Sequence, residues 1–319
     1  MSDRSSNRDE QCRRLSETMR RQLGPQVCDR MTDPNVVEVM LNADGLLWED
    51  RLGAGMSQIG EMQSHTAEAL IATVASMLRT TVTRENPIIE CELPLDGSRF
   101  EAMIPPVVPS PVFTIRRKAS LVFTFDDYVT AGIMQPRQRL ALMQAVRDRS
   151  NILICGGTTS GKTTLTNAVI HQIVAIHPQH RLVIIEDTAE LQCTATNYVQ
   201  LRATDTVDMR RLLKGTMRLR PDRIIVGEVR GGEALDMLKA WNTGHPGGCC
   251  TAHANNGRAA VIRIEQLIQE VSQNPMRRLI AEAIDLVVSI AMTSAGRRVQ
   301  EVLSVAFDRD DYVFTDRSN

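Results

Sequence analysis

The chain has 319 residues, 43% of them apolar and 24% charged, ordinary proportions for a globular protein and enough length for two domains. A net charge of −1 and only 3% aromatic residues argue against a global basic field or a base-stacking platform, so sequence-specific nucleic-acid binding is not expected. No apolar run approaches the ~20 residues that cross a bilayer, and the polar, charged start shows no secretory signal, which together predict a cytoplasmic protein.

Seven scattered cysteines include no C-x-x-C pair, which reads as free thiols rather than zinc. The first ten residues are polar and expected to be disordered. Residues 11–23 set Arg13, Arg14, Arg20 and Arg21 around Leu15, Met19 and Leu23, a short basic amphipathic helix. It is either a solvated helix or a peripheral contact to anionic lipid or a membrane-bound partner. Residues 33–104 read as an α+β unit. Strand patterns at 36–41 and 46–49 flank the turn Asn42-Ala43-Asp44-Gly45, helical spacing runs from Ala67 to Leu78, and 88–93 and 99–104 flank the hairpin signal Asp96-Gly97-Ser98. Four prolines between 105 and 111 end this N-terminal domain, residues 1–111. The segment 112–135 is expected to be a linker; it begins with a short strand, Phe113 to Lys118, that ends in Arg116, Arg117 and Lys118. Pro136 then suits the first turn of a helix reaching Arg147.

Residues 136–319 form the second domain. Strand patterns at 151–155, 182–186, 197–201, 223–227, 247–252 and 286–292 alternate with helical patterns at 162–176, 207–218, 231–241, 256–271 and 275–284. Such alternation predicts a mostly parallel sheet with helices on both faces, whose ligands bind at the carboxyl ends of strands. There lies Gly156-Gly157-Thr158-Thr159-Ser160-Gly161-Lys162-Thr163, a complete G-x-x-x-x-G-K-[ST] loop between the run Ile152-Leu153-Ile154-Cys155 and a helix-patterned stretch. The glycines let backbone N–H groups turn inward around a polyphosphate, and the helix adds its positive end. Lys162 is placed to reach the β- and γ-phosphates, and the Thr163 hydroxyl to sit on Mg²⁺.

Three further constellations follow. Arg223-Ile224-Ile225-Val226-Gly227-Glu228 is an apolar strand ending in a carboxylate. With Gly227 where a metal-binding Asp usually stands, Glu228 is read as the base that polarises water; capping a helix is the bland alternative. Glu186-Asp187-Thr188-Ala189-Glu190 puts three acids at another strand tip, which calls for Mg²⁺ or an arginine nearby. Glu186 and Glu228 are accordingly candidate metal neighbours beside Thr163. His245 and His253 bracket another strand, as phosphate sensors, metal ligands or ordinary hydrogen-bonding groups. Arg202, Arg218, Arg220 and Arg230, with Arg116 and Arg117, are candidates for phosphate contacts.

Taken in order, the run from Gly156 through Thr163 to Thr164, then Glu186 to Leu191, then Arg220 to Ala234, then Thr243-Gly244-His245-Pro246-Gly247 and Thr251-Ala252-His253-Ala254-Asn255, resembles the secretion-ATPase family that powers type II secretion, type IV pili and type IV secretion. The stretches match its Walker A, Asp box, Walker B and His box. The short N-terminal domain and the lack of a tetracysteine motif look most like the conjugative branch, the TrbB-type conjugal transfer ATPases. The resemblance implies a RecA-like P-loop NTPase domain behind a smaller α+β N-terminal domain. It implies ATP and Mg²⁺ as cofactors, and a homo-oligomer, a hexameric ring with nucleotide between the domains. It also implies peripheral association with inner-membrane components of a type IV secretion machine, where hydrolysis drives pilus assembly or substrate transfer. By the same resemblance the residues 114–118 bring an arginine to the nucleotide, from Arg116 or Arg117, and Lys162, Glu186, Glu228 and His253 are catalytic. Three rivals remain: a pilus or type II secretion motor with the same chemistry; a DNA-translocating ring, which the near-zero net charge and few aromatics disfavour; and a nucleotide-binding scaffold without turnover, which measured phosphate release would exclude.

Overall fold

A computed structural model of the chain describes residues 2–117, 122–204 and 206–318, with side chains given for Glu10 and from Arg13 onward. The chain divides into two compact units, Met1–Leu121 and Val122–Asn319.

The first unit opens with α1, Ser2–Thr32, and continues with β1, Val36–Leu41, β2, Leu46–Arg51, β3, Gly55–Glu61, α2, Ser64–Met77, β4, Ile88–Glu92, β5, Arg99–Met103, and β6, Val112–Arg116. The six strands form one antiparallel sheet in the order β3-β2-β1-β6-β5-β4. Helical structure thus starts at Ser2, where a disordered decapeptide was expected. The pairs Arg14–Glu10 and Arg13–Glu17, one turn apart, support it. The helix breaks at Gly24, whose φ of 75° only glycine adopts cheaply, just before Pro25, and then resumes. Met19, Leu23, Val27 and Met31 recur every four residues and are buried against α2 and the sheet. The apolar stripe of this basic helix is therefore spent in the core, so attraction to a membrane would rest on the exposed arginines 13, 14, 20 and 21.

The second unit holds α3, Phe125–Thr130, α4, Pro136–Arg147, β7, Ile152–Gly156, α5, Lys162–Ile176, β8, Leu182–Glu186, β9, Tyr198–Arg202, α6, Met209–Thr216, β10, Arg223–Val226, α7, Glu233–Asn242, β11, Cys249–His253, α8, Gly257–Gln269, α9, Arg277–Ala283, β12, Leu286–Thr293, β13, Gly296–Asp308, and β14, Asp311–Asp316. The sheet order is β14-β13-β12-β7-β11-β10-β8-β9. The six strands from β12 to β9 are parallel, and β13 and β14 extend the β12 edge antiparallel. Every residue of β7, β8 and β10 is buried, because helices cover both faces. Alternate residues feed two cores. Leu153 and Cys155 join residues of α6 to α9, and Ile152 and Ile154 join residues of α3 to α5.

The expected linker is structured at both ends. β6 pairs with β1 and β5 inside the first sheet, because Phe113 and Ile115 alternate into its core. α3 belongs to the second unit, capped by reciprocal bonds between Thr124 and Asp127 and buried through Phe125 and Tyr128. Lys118 of the expected strand lies outside the described residues.

Candidate active site

The parallel strands end together on one edge, and four of them carry the residues singled out from the sequence. β7 leads into the glycine-rich loop, β11 ends at His253, β10 leads to Glu228, and β8 ends at Glu186. These four strands are neighbours, in the order β7-β11-β10-β8, and His253 pairs directly with Gly156.

The loop from Gly156 to α5 needs its small residues. A side-chain carbon at Gly156 would come 2.3 Å from the Ile290 carbonyl oxygen and 2.5 Å from Ser160 Oγ, and Gly161 has φ 99°. Lys162 Nζ donates to the carbonyls of Gly156, at 3.0 Å, and Gly157, at 2.8 Å, and lies 3.5 Å from His253 Nδ1. Ser160 Oγ is buried without a hydrogen-bond partner, a donor that a phosphate oxygen in the loop would satisfy. Thr158, Thr159 and Thr164 stand in the same turn and first helical residues. Thr163 Oγ1 donates to Glu190 Oε2 at 3.2 Å, so a hydroxyl and a carboxylate already meet where Mg²⁺ was expected. Among the described residues no group of three or more His, Cys, Asp or Glu is arranged to hold a metal. The Thr163 hydroxyl and Glu190 carboxylate are hard oxygen donors of the kind that hold Mg²⁺ beside waters and substrate phosphates.

Glu186 is turned inward and hydrogen-bonded on both oxygens. The residue is 2% exposed. Oε1 accepts the N–H groups of Glu190, at 2.9 Å, and Leu191, at 2.8 Å, and Oε2 accepts Gln200 Nε2 at 2.5 Å. Burial pushes its pKa above the usual carboxylate range, opposed by these three donors. Glu186 is the brace that folds residues 187–191 back over α5, and the acid that reaches Thr163 is Glu190. This also explains the glycine before Glu228. A carbon on Gly227 would meet Glu186 Cγ at 2.9 Å, so the braced glutamate fills the space an Asp side chain would need.

Glu228 leaves β10 on a backbone fixed from both sides: Gly227 N–H donates to Ile185, and Thr251 Oγ1 donates to the Gly227 carbonyl. Its Oε2 accepts Arg230 Nη2 at 2.6 Å and Nε at 2.9 Å. Its Oε1 lies 2.8 Å from His253 Nε2, out of line for a hydrogen bond, and has no other partner although buried. Because the Lys162 ammonium can only donate, His253 Nδ1 is assigned as the acceptor and Nε2 as the protonated nitrogen. Burial lowers the His253 pKa; Glu228 opposes this, and the Lys162 and Arg230 cations add to it.

The other expected residues of the second unit are placed apart from this cluster. His245 precedes β11 and sits toward its opposite end, as Arg218 and Arg220 do before β10. Arg202 ends β9, at the outer edge of the parallel strands. Arg117 Nη1 donates to the carbonyls of Asp33 and, at 3.0 Å, Val36, which anchors β6 to the end of α1 and the start of β1 within the first unit. Arg116 lies 3.9 Å from Glu38 in a polar hollow that also holds Arg99 and Glu101. One neighbour of the loop escaped the sequence reading. Arg297 on β13 packs over Gly161, its Nη2 is 3.4 Å from the Thr159 carbonyl, and its Nε is buried without a partner. Only the chain's return through β12 and β13 places it there, a pairing no local pattern announces.

Comparison with known proteins identifies the family and the fold. The family described as type II/IV secretion system protein matches residues 56–305. A probable conjugal transfer protein TrbB of Sinorhizobium fredii is 56% identical over 92% of this chain and 90% of its own length. A conjugal transfer protein TrbB of Rhizobium radiobacter is 52% identical over 95% of this chain and 94% of its own. Among solved structures, the pilus retraction motor PilT with bound ADP superposes with a TM-score of 0.64 at 19% identity, covering 89% of this chain and 83% of that one. The ATPase DotB of Legionella pneumophila gives 0.58 at 16% identity over 88% and 80%. At those identities the structural likeness establishes the fold.

Proposed function

The chain belongs to the type II/IV secretion system protein family, and from that premise we propose that it hydrolyses ATP at the Gly156–Thr163 loop to energise a conjugative type IV secretion machine, in pilus assembly, DNA–protein substrate transfer or both. The observation that carries this reading is the contact chain across four neighbouring strands, from Lys162 through His253 to Glu228, with Thr163 and Glu190 beside it. Thr163, with Glu190 close by, would hold Mg²⁺, which would supply charge neutralisation to the nucleotide's phosphates.

The protein's own groups do the rest. Backbone N–H groups of the loop and the amino end of α5 bind the phosphates. Lys162 exchanges the Gly156 and Gly157 carbonyls for phosphate oxygens, so the loop's own hydrogen bonds report whether the site is filled. Glu228 Oε1, buried beside His253 Nε2 and making no in-line hydrogen bond, supplies the lone pair that takes a proton from the attacking water. His253, losing Lys162 as its donor when nucleotide binds, carries that change toward Glu228. Glu186 acts at one remove, through the position of Glu190.

The subunit works as a homo-oligomeric ring, a hexamer, on the cytoplasmic face of the inner membrane, attached through the machine's membrane components. No helix among the described residues is long and apolar enough to cross a membrane. Of the two cations expected to reach the nucleotide, Arg117 is committed to main-chain carbonyls and Arg116 is kept for that role. Arg116→Ala is expected to preserve ring size in light scattering and lose most phosphate release, whereas Arg117→Ala is expected first to lower the melting temperature. Normal turnover in Arg116→Ala would move the role to another cation.

The machine itself is tested by mating. Donor cells lacking the gene should regain plasmid transfer with the wild-type chain and not with Lys162→Ala, and the tagged protein should bring inner-membrane secretion components with it on purification. Full transfer supported by Lys162→Ala would contradict the proposal.

A further inference from the structure

The turn after β10 holds a three-point contact that the steps above leave without a task. Arg230 donates twice to one oxygen of Glu228, Oε2, through Nη2 at 2.6 Å and Nε at 2.9 Å. Its remaining terminal nitrogen, Nη1, donates to Asp187 Oδ2 at 2.8 Å. The turn that carries the guanidinium is itself fixed, since the N–H groups of Arg230 and Gly231 both donate to Glu233 Oε1. The other Glu228 oxygen, Oε1, is buried, lies 2.8 Å from His253 Nε2 and makes no hydrogen bond.

This asymmetry has a chemical consequence. A carboxylate offers two oxygens and rotates about its terminal bond, and a general base works only when one lone pair faces the proton it removes. Two donors on Oε2 stop that rotation and leave Oε1, beside His253 Nε2, as the oxygen that can accept from water. A lysine could neutralise Glu228 but could not span two carboxylates with fixed geometry; the planar guanidinium does. The contact is a poor stability device, because the Arg230 side chain is 55% exposed and exposed ion pairs contribute little. Nor does it leave Arg230 ready for phosphate, since all three of its nitrogens are turned to carboxylates.

We propose that Arg230 is a positioning residue that pins Glu228 Oε2 so that Oε1 faces the attacking water, with Asp187 fixing the plane of the guanidinium. The proposal rests on Glu228 being the base.

The test uses the full-length protein with Arg230→Gln, Arg230→Lys, Asp187→Asn, the Asp187→Asn/Arg230→Gln double variant and Glu228→Gln. Each is measured for single-turnover phosphate release from Mg·ATP, affinity for a fluorescent ATP analogue, and melting temperature. Arg230→Gln should slow the chemical step by about 10–100-fold, part of what a well-placed base contributes, with affinity and melting temperature unchanged. Arg230→Lys should recover part of the loss. Asp187→Asn should show a smaller loss, and the double variant should be no slower than Arg230→Gln, because both substitutions act through one guanidinium. Wild-type turnover in Arg230→Gln would overturn the proposal. So would weakened nucleotide binding with an unchanged rate at saturation, which would make Arg230 a phosphate ligand. A fast Glu228→Gln would instead remove the base on which the proposal stands, while a slow Glu228→Gln beside a fast Arg230→Gln would remove the pin alone.

Discussion

Lys162→Ala is expected to abolish ATP hydrolysis, lowering phosphate release by at least about 10²–10³-fold, the usual loss when a donor to transition-state charge is removed. Lys162 is the only cationic side chain in the Gly156–Thr163 loop, and phosphoryl transfer depends on charge stabilisation more than on covalent chemistry. The structure adds a second effect. Alanine removes the donor to the Gly156 and Gly157 carbonyls and to His253 Nδ1, so the ring loses the partner that fixes its tautomer. The fold should survive, because those carbonyls lie in a loop and the sheet beneath is intact. Phosphate release measured beside melting temperature separates the two. A variant that melts normally and keeps more than about a tenth of wild-type turnover would contradict the assignment, given the loss expected for such a donor.

Glu228→Gln is expected to bind nucleotide and hydrolyse it slowly, by about 10²–10⁴-fold, the contribution of a positioned base. The amide keeps the size of the side chain, and its oxygen still accepts from Arg230 as Oε2 does now. What disappears is the basic lone pair of Oε1. Nucleotide affinity beside the single-turnover rate decides the point. Lost affinity with intact chemistry would make Glu228 a metal-holding or structural residue.

Much of the second unit was legible because its signals are local. The phosphate loop is eight consecutive residues between a buried strand and a helix. Pro136 marks the first turn of α4 by its fixed φ, and the apolar runs of β7 and β8 read directly because both faces of a parallel sheet are covered. What escaped depends on chain segments that meet from far apart. Three acids in five residues gave no means of telling that Glu186 points inward to brace a loop while Glu190 turns toward Thr163; that choice is made by Gln200 on β9 and by the folding of 187–191. Arg117 looked like a free cation at the end of a strand, yet the carbonyls that bind it lie more than 80 residues earlier. β13 was missed although its apolar residues are buried at Val299, Val302, Leu303 and Val305, because two of them are adjacent and charged residues interrupt the alternation. With it went Arg297. The glycine before Glu228 was noticed as a departure and explained only by the neighbouring strand, where Glu186 fills the space.

The central claim is that this site breaks the bond to the γ-phosphate, with Glu228 as base and Lys162 as the phosphate-binding cation. The most direct measurement is a single turnover: purified wild-type protein in excess over γ-labelled ATP, with Mg²⁺ or with a chelator, quenched and resolved into ATP and free phosphate. The account predicts complete conversion with Mg²⁺ and recovery of intact ATP when Mg²⁺ is withheld. Intact ATP recovered from the bound fraction in the presence of Mg²⁺, with the protein in its assembled state, would contradict it and leave a nucleotide-binding subunit without turnover.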